Sequence, residues 1–289
     1  MKPAYNVATG LLVVLMLVGG CCAVTLAQTS VQARSDDVTL SSAICPIVYP
    51  LDQSPSERGV HYTFYGNGFF INKEGYLLTA AHVLSQLSDA QPYIVMRLPM
   101  APPRLLKVTL VAVDRDHDVA LLRAMPNPFE GKYQVRFLQL AVDRPERAQN
   151  VLAAALRPSR LKDPHTFDAF VEDRPAGEIL QYVFSQLDKG HPETELLLFN
   201  HEILLGDSGA PVVSAESQAV VGLVEGRWLR TNAASLAMTR GHTASGVGAA
   251  VPIHYAISLL QQEGVTWQAA QETDTKLAPP ASNTEPQMQ

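Results

Sequence analysis

From Tyr62 to Val251 the apolar residues of this chain fall in short runs, each closed by glycine, proline, asparagine or aspartate. Such punctuation leaves no room for long helices or for helices alternating with parallel strands, and it favours a β-barrel or sandwich. The pattern is clearest early in the chain. Thr63–Ile71 reads as a glycine-kinked strand through Gly66-Asn67-Gly68, Asn72-Lys73-Glu74-Gly75 as a hairpin turn, and Tyr76–Thr79 as the returning strand. One helical turn is expected over Ala80–Leu84, then strands at Tyr93–Leu98, Leu106–Val113 and Val119–Arg123.

Proline and polar residues thicken between Ala124 and Asn150, which suggests a junction near 140–150. Strand signals resume at Val151–Leu156, Ala169–Val171, Leu196–Phe199, Pro211–Val213, Ala219–Val224 and Gly248–Val251. Between them, Ile179, Leu180, Val183, Phe184 and Leu187 recur at one-face helical spacing, so a helical insertion is expected over 177–190, stopped by Gly190 and Pro192. Ile253–Gln262 reads as a terminal helix, and 265–289, polar and without periodicity, as a disordered tail.

Residues 1–27 read as a targeting segment: Lys2, then the apolar run Gly10–Gly20. Leu17-Val18-Gly19-Gly20-Cys21 resembles a bacterial lipoprotein signal, which makes Cys21 a candidate for lipidation. The charge-free stretch Val7–Ala27 could instead stay as a membrane anchor, and cleavage after Ala27 would release the chain. All three routes export the domain, to the bacterial cell envelope in the first two. Residues 28–44 look like a flexible tether, and the globular part is expected over 45–264, divided into units of about 45–142 and 148–264.

With 47% hydrophobic residues among 289, the chain can bury substantial cores. Its net charge of −6 includes no basic run, so nucleic acid is not expected as a partner. Cys45 is the one thiol left for the folded part, which rules out an internal disulfide framework there.

Chemistry gathers at three places in the order histidine, aspartate, serine. His82 ends an apolar strand, Asp118 leads into Val119-Ala120-Leu121-Leu122, and Ser208 sits between glycines in Gly206-Asp207-Ser208-Gly209. A serine hydroxyl needs a base to take its proton, and an imidazole that titrates near neutrality can take and return it. A carboxylate on the other ring nitrogen fixes the tautomer and stabilises the imidazolium. Asp114 and Asp116 are rival carboxylates, but only Asp118 enters the apolar strand directly. His201-Glu202 lacks the second histidine of a helical zinc motif, so no metal or other cofactor is expected.

Thr79-Ala80-Ala81-His82, Asp118-Val119-Ala120-Leu121-Leu122 and Gly206-Asp207-Ser208-Gly209-Ala210-Pro211 resemble the three signatures of the trypsin-like serine peptidases. Gly246–Pro252 with the helix after it is similar to their C-terminal strand and helix. The resemblance implies an all-β fold of two six-stranded antiparallel barrels with a C-terminal helix, and hydrolysis of polypeptides through an acyl-enzyme. It implies His82 as general base, Asp118 as its orienting carboxylate, Ser208 as nucleophile, and the Gly206 and Ser208 amides as the oxyanion hole. It further implies Val224, Glu225 and Gly226 as the strand that pairs with substrate, Gly246 as a wall of the primary pocket, and Glu202 at that pocket's floor, which would favour Lys or Arg before the scissile bond. Two departures matter. No Ile-Val-Gly-Gly-like segment follows a cleavable basic residue (Arg58-Gly59-Val60-His61 is a poor substitute), so Asp207 needs a partner other than a freed N-terminus. No PDZ-like module is expected after the peptidase region.

Two other functions compete. A Gly-x-Ser-x-Gly esterase elbow is disfavoured because Ala210 holds the last position. A catalytically silent binding or scaffold protein of the envelope is the alternative from a different class.

Overall fold

The computed structural model describes residues 40–50, 62–85, 90–98, 101–131, 135–158, 170–173, 176–187, 190–230, 236–239 and 246–270. The expected targeting segment, Cys21 and most of the tether lie outside these residues. So do Arg58-Gly59-Val60-His61.

Six strands close a first antiparallel barrel: β1 (Ile44–Pro50), β2 (Tyr62–Phe70), β3 (Tyr76–Ala80), β4 (Tyr93–Leu98), β5 (Ala101–Asp114) and β6 (Val119–Met125), in the order β1-β2-β3-β6-β5-β4. A short helix, α1 (Ala81–Ser85), follows β3. The second half forms β7 (Asn150–Ala153), β8 (Ala155–Pro158), β9 (Phe170–Asp173), β10 (Ala176–Gln186), β11 (Glu193–Phe199), β12 (Pro211–Ser214), β13 (Val220–Arg230), β14 (Leu236–Thr239) and β15 (Gly248–Pro252). Its sheet runs β12-β7-β10-β11-β15-β13-β14, and β12 also pairs with β13. That extra pairing closes a ring of six strands and leaves β14 as an added edge, while β8 and β9 pair apart from it. The two-barrel architecture expected from the sequence is therefore present.

The continuous apolar runs have a physical cause. Strands facing the other barrel are buried on both sides, so alternation disappears from their sequence. In β6, Val119 and Leu121 join the core between the barrels, whereas Leu122 and Ala124 fill the interior of barrel one. In β11, Leu196 and Leu198 face between the barrels, whereas Leu197 and Phe199 fill barrel two. The shared core, with Phe69, Ile71, Leu78, Leu156, Val213, Val220 and Val251 also in it, welds the halves and holds the cleft between them rigid. Truncating one such leucine costs about 2–5 kcal/mol.

Helix α2 (Ile253–Gln262) lays Ile253, Ala256, Leu259 and Leu260 on that core. Gly264, at φ +65°, ends it; the Val265 N–H reaches back to the Leu260 carbonyl at 2.9 Å.

Three expectations need correction. The described part of the expected helical insertion at 177–190 is a strand: β10 pairs with β11 from Ile179↔Phe199 to Gln186↔Glu193. A register shift between Ile179 and Gln181 moves Leu180, Val183 and Leu187 onto the inter-barrel side, while Tyr182 packs on the barrel-two core, and this mimics a helical repeat. The tail does not begin at 265. Residues 265–270 lie against barrel one, where Leu140 N–H meets the Gln268 carbonyl at 2.9 Å, Asn72 Nδ2 the Thr266 carbonyl at 2.8 Å, and Val265 and Trp267 pack on the core. The tether ends earlier than expected, since residues 40–43 are helical and buried, with Leu40 and Ala43 in the inter-barrel core. Among the described residues, no helix is long and apolar enough to cross a membrane.

Candidate active site

The three sequence-predicted reactive residues come from both barrels and meet in the cleft. His82 is in α1, placed where β3 ends. Asp118 sits at φ +55°, a left-handed conformation held by the tight turn between β5 and β6. The Ala81 N–H donates to the Asp118 carbonyl at 3.0 Å and the His82 N–H to Asp118 Oδ1 at 2.7 Å. Asp118 Oδ2 is 2.6 Å from His82 Nδ1, with both side chains buried. The carboxylate thus holds the backbone and the ring of one histidine, fixing the ring so that Nε2 is the nitrogen left to accept a proton.

Ser208 lies in the turn between β11 and β12. Its hydroxyl donates to the Glu225 carbonyl at 3.3 Å, and both Ser208 and His82 border one cavity of about 70 Å³. Tyr65, Ile203, Leu204, Leu205, Gly206, Glu225, Gly226 and Arg227 complete its walls.

The turn is shaped by close backbone approach. Gly206 is at φ +95° and Gly209 at φ +77°, both positions at which a side chain would be strained. A Cβ on Gly209 would also collide with the Asn67 carbonyl and Thr79 Oγ1. Asn67, fully buried in β2, ties barrel one to this turn. Its N–H donates to the Ser208 carbonyl at 2.8 Å, its Nδ2 to the Gly206 carbonyl at 2.9 Å, and its Oδ1 accepts from the Leu156 N–H at 3.1 Å. Thr79 Oγ1 donates to the Asn67 carbonyl at 2.6 Å. Asp207, also buried, accepts from the Leu204 N–H at 2.8 Å, and its other oxygen is 3.6 Å from Arg157 Nε. These contacts are the partners that the sequence left open for Asp207. Composition and spacing carry no sign of Arg157, and none of Asn67 beyond the glycine kink that contains it.

The residues expected to bind substrate separate. Val224 is not free to pair with it: its N–H donates to the Ala210 carbonyl and its carbonyl accepts from the Gly209 N–H, both at 2.8 Å. Glu225 lies at a bulge between Val224 and Gly226 in the β13–β15 pairing, and bulges re-aim side chains. Its side chain is buried, and its carboxylate oxygen, an Asp118 oxygen and a ring nitrogen of His82 all lie within 4.8 Å of one another. A metal ion could draw on that trio, but the Asp118–His82 hydrogen bond already engages two of its members. Gly226 borders the cavity. Gly246 is exposed, with no described residue within 4 Å of where its Cβ would lie, and it is not among the described residues that line the cavity. Glu202 does not line it either: its half-exposed carboxylate is 3.1 Å from an Arg227 guanidinium nitrogen.

A sequence profile described as a trypsin-like peptidase domain matches residues 66–223. No curated protein matches the chain by sequence. Solved structures share the fold. The HtrA-type protease AlgW, in a complex with a tripeptide, is 19% identical with a TM-score of 0.54, the alignment covering 78% of this chain and 61% of AlgW. A protease from M. tuberculosis in its active form is 17% identical, TM-score 0.55, covering 80% of this chain and 85% of that one. A serine endoprotease from Yersinia pestis is 19% identical, TM-score 0.51, covering 78% and 64%. The chain thus spans less than two thirds of AlgW's length.

Proposed function

This chain belongs to the trypsin-like peptidase family, and on that premise we propose that it is a serine endopeptidase acting on polypeptides through an acyl-enzyme. The observation that carries this reading is the buried Asp118–His82 pair at 2.6 Å, with His82 facing the same cavity as Ser208. Ser208 Oγ attacks the carbonyl carbon of the scissile bond and gives its proton to His82 Nε2. Asp118 stabilises the imidazolium. The tetrahedral intermediate collapses, the C–N bond breaks, and His82 returns the proton to the departing amine. Water then repeats the sequence to release the acid.

The Gly206 and Ser208 amides form the oxyanion hole. Among the described residues neither N–H has another acceptor, and the carbonyls of the same two residues are held by Asn67 on the opposite side. Loss of one oxyanion donor costs about 10²–10³ in kcat. The serine's present bond to the Glu225 carbonyl is released as Oγ turns toward His82 Nε2.

The apolar Gly10–Gly20 run supports export, and Cys21 after two glycines supports attachment to the cell envelope through a lipid on that cysteine. The mass of the mature N-terminal peptide tests this: a diacylglyceryl adduct on Cys21 is expected, and a free peptide starting after residue 27 would refute it.

Covalent labelling tests the catalytic assignment. A fluorophosphonate probe should modify Ser208 in the folded full-length chain, and Ser208→Ala should lose both labelling and casein cleavage while keeping the wild-type melting curve. Absence of an adduct on Ser208 would overturn it in favour of a silent scaffold.

A further inference from the structure

An acyl group whose carbonyl oxygen lies at the Gly206 and Ser208 amides has its neighbouring side chain within a few ångströms of both residues. Among the described residues, the cavity of about 70 Å³ beside Ser208 is the space bordered by both, so it receives the side chain before the scissile bond. A cavity of about 150 Å³ holds one benzene ring, so this one encloses only a few heavy atoms, fewer than a lysine or arginine side chain carries.

Arg227 makes the cavity small. It projects from β13, lines the cavity, and is only 14% exposed. Its Nε donates to the Ile203 carbonyl, and a terminal guanidinium nitrogen is 3.1 Å from Glu202 Oε1. Both acceptors belong to the segment that leads into the oxyanion turn. A planar guanidinium pinned by two acceptors is a fixed wall, not a mobile surface chain. It also pairs with Glu202, the carboxylate that the resemblance assigned to basic substrate residues, and presents its own positive charge to the cavity.

We propose that Arg227 is the specificity-determining residue of this peptidase: it occupies the primary pocket as a built-in arginine, neutralises Glu202, and restricts the position before the scissile bond to short uncharged side chains. Rejection of lysine and arginine follows from like charge as well as from volume, a repulsive element built against the wrong substrate. Glu202, read from the sequence alone as the feature that selects basic residues, serves to hold Arg227. This inference rests on Ser208 being the nucleophile.

The test combines two readouts in the full-length protein. The first is the ratio of kcat/KM for peptides with arginine against alanine before the scissile bond. Wild type should strongly favour alanine; Arg227→Ala should raise the arginine-to-alanine ratio about tenfold or more, and adding Glu202→Gln should take most of that gain away. The second needs no catalysis: in a Ser208→Ala background, benzamidine, an amidinium probe, should bind only after Arg227→Ala and lose binding when Glu202→Gln is added. Arg227→Gln, closer in shape, guards against misfolding and should shift both readouts in the same direction. Wild-type cleavage after lysine or arginine would overturn the proposal, and so would an unchanged ratio in a variant that still takes the fluorophosphonate. Failure of wild type to label would remove the catalytic reading itself, whereas benzamidine binding still reports on the pocket.

Discussion

Asn67 Nδ2 donates to the Gly206 carbonyl at 2.9 Å, so a strand of barrel one fixes the Gly206–Gly209 turn of barrel two. The same side chain accepts from Leu156, and the backbone N–H holds Ser208. Three bonds to three separate points make this turn's position a property of the interface between the barrels.

Asn67→Ala should therefore affect turnover more than substrate binding. It strands the Leu156 N–H and the Gly206 carbonyl in a dry interior, at about 1–3 kcal/mol for each group left without a partner. We expect a melting-temperature drop of several degrees and a kcat loss of about tenfold to a hundredfold, with KM changed far less. Asn67→Asp separates the two effects, because it keeps an acceptor for Leu156 and removes the donor to Gly206. Equal changes in kcat and KM would refute the positioning role.

Asp207 is held from the second side of the turn. Its carboxylate takes the Leu204 N–H and faces Arg157 from β8, with neither acid nor base more than slightly exposed. Where a relative with a freed N-terminus would use an ammonium, a guanidinium from the same chain stands here, so activity should need no N-terminal processing. Arg157→Leu should lower fluorophosphonate labelling rates and melting temperature together, because it leaves a buried carboxylate without its charge partner. Trimming the chain before residue 40 should leave the labelling rate of the correctly folded protein within about twofold, since Arg157 already balances the Asp207 charge. A strong rate increase on trimming would indicate an N-terminal partner after all.

What could be read without coordinates was local. His82, Asp118 and Ser208 sit in runs whose residue types are dictated by two-sided burial and by a glycine turn, and both constraints leave marks in contiguous sequence. Asn67, Arg157 and Arg227 act across 139, 50 and 25 positions of chain (to Gly206, Asp207 and Glu202), and a lone polar residue in a strand announces no partner at such distances. The error at 177–190 has a different origin: a register shift in β10 changes which residues face the core, and its apolar set then falls at helical intervals. The resemblance puts Glu202 at the pocket floor, and a resemblance in local sequence says nothing about an arginine arriving from another strand.

Cys45 reports on the opening of barrel one. It is fully buried in β1, and desolvation raises its thiol far above the ordinary range for cysteine. The thiolate is the reactive form, so iodoacetamide at pH 8 should leave the Cys45 peptide unmodified in the native protein and modify it only under conditions that unfold the barrel. Mass spectrometry of that peptide gives the modified fraction. Rapid labelling under native conditions would show that β1 leaves the barrel locally.

Glu225 offers the sharpest test of how the His82 ring is held. A second buried carboxyl group stands beside Asp118 and His82, all three within 4.8 Å of one another. Glu225→Gln keeps the shape and replaces one carboxyl oxygen by an NH2 donor. A donor at that place competes for the Asp118 oxygens that hold the His82 ring, so kcat should fall by about tenfold with KM changed far less. Because the Ser208 hydroxyl meets the backbone carbonyl of this residue and not its side chain, the substitution leaves that bond in place. A kcat within about twofold of wild type would mean that the Glu225 side chain contributes shape alone.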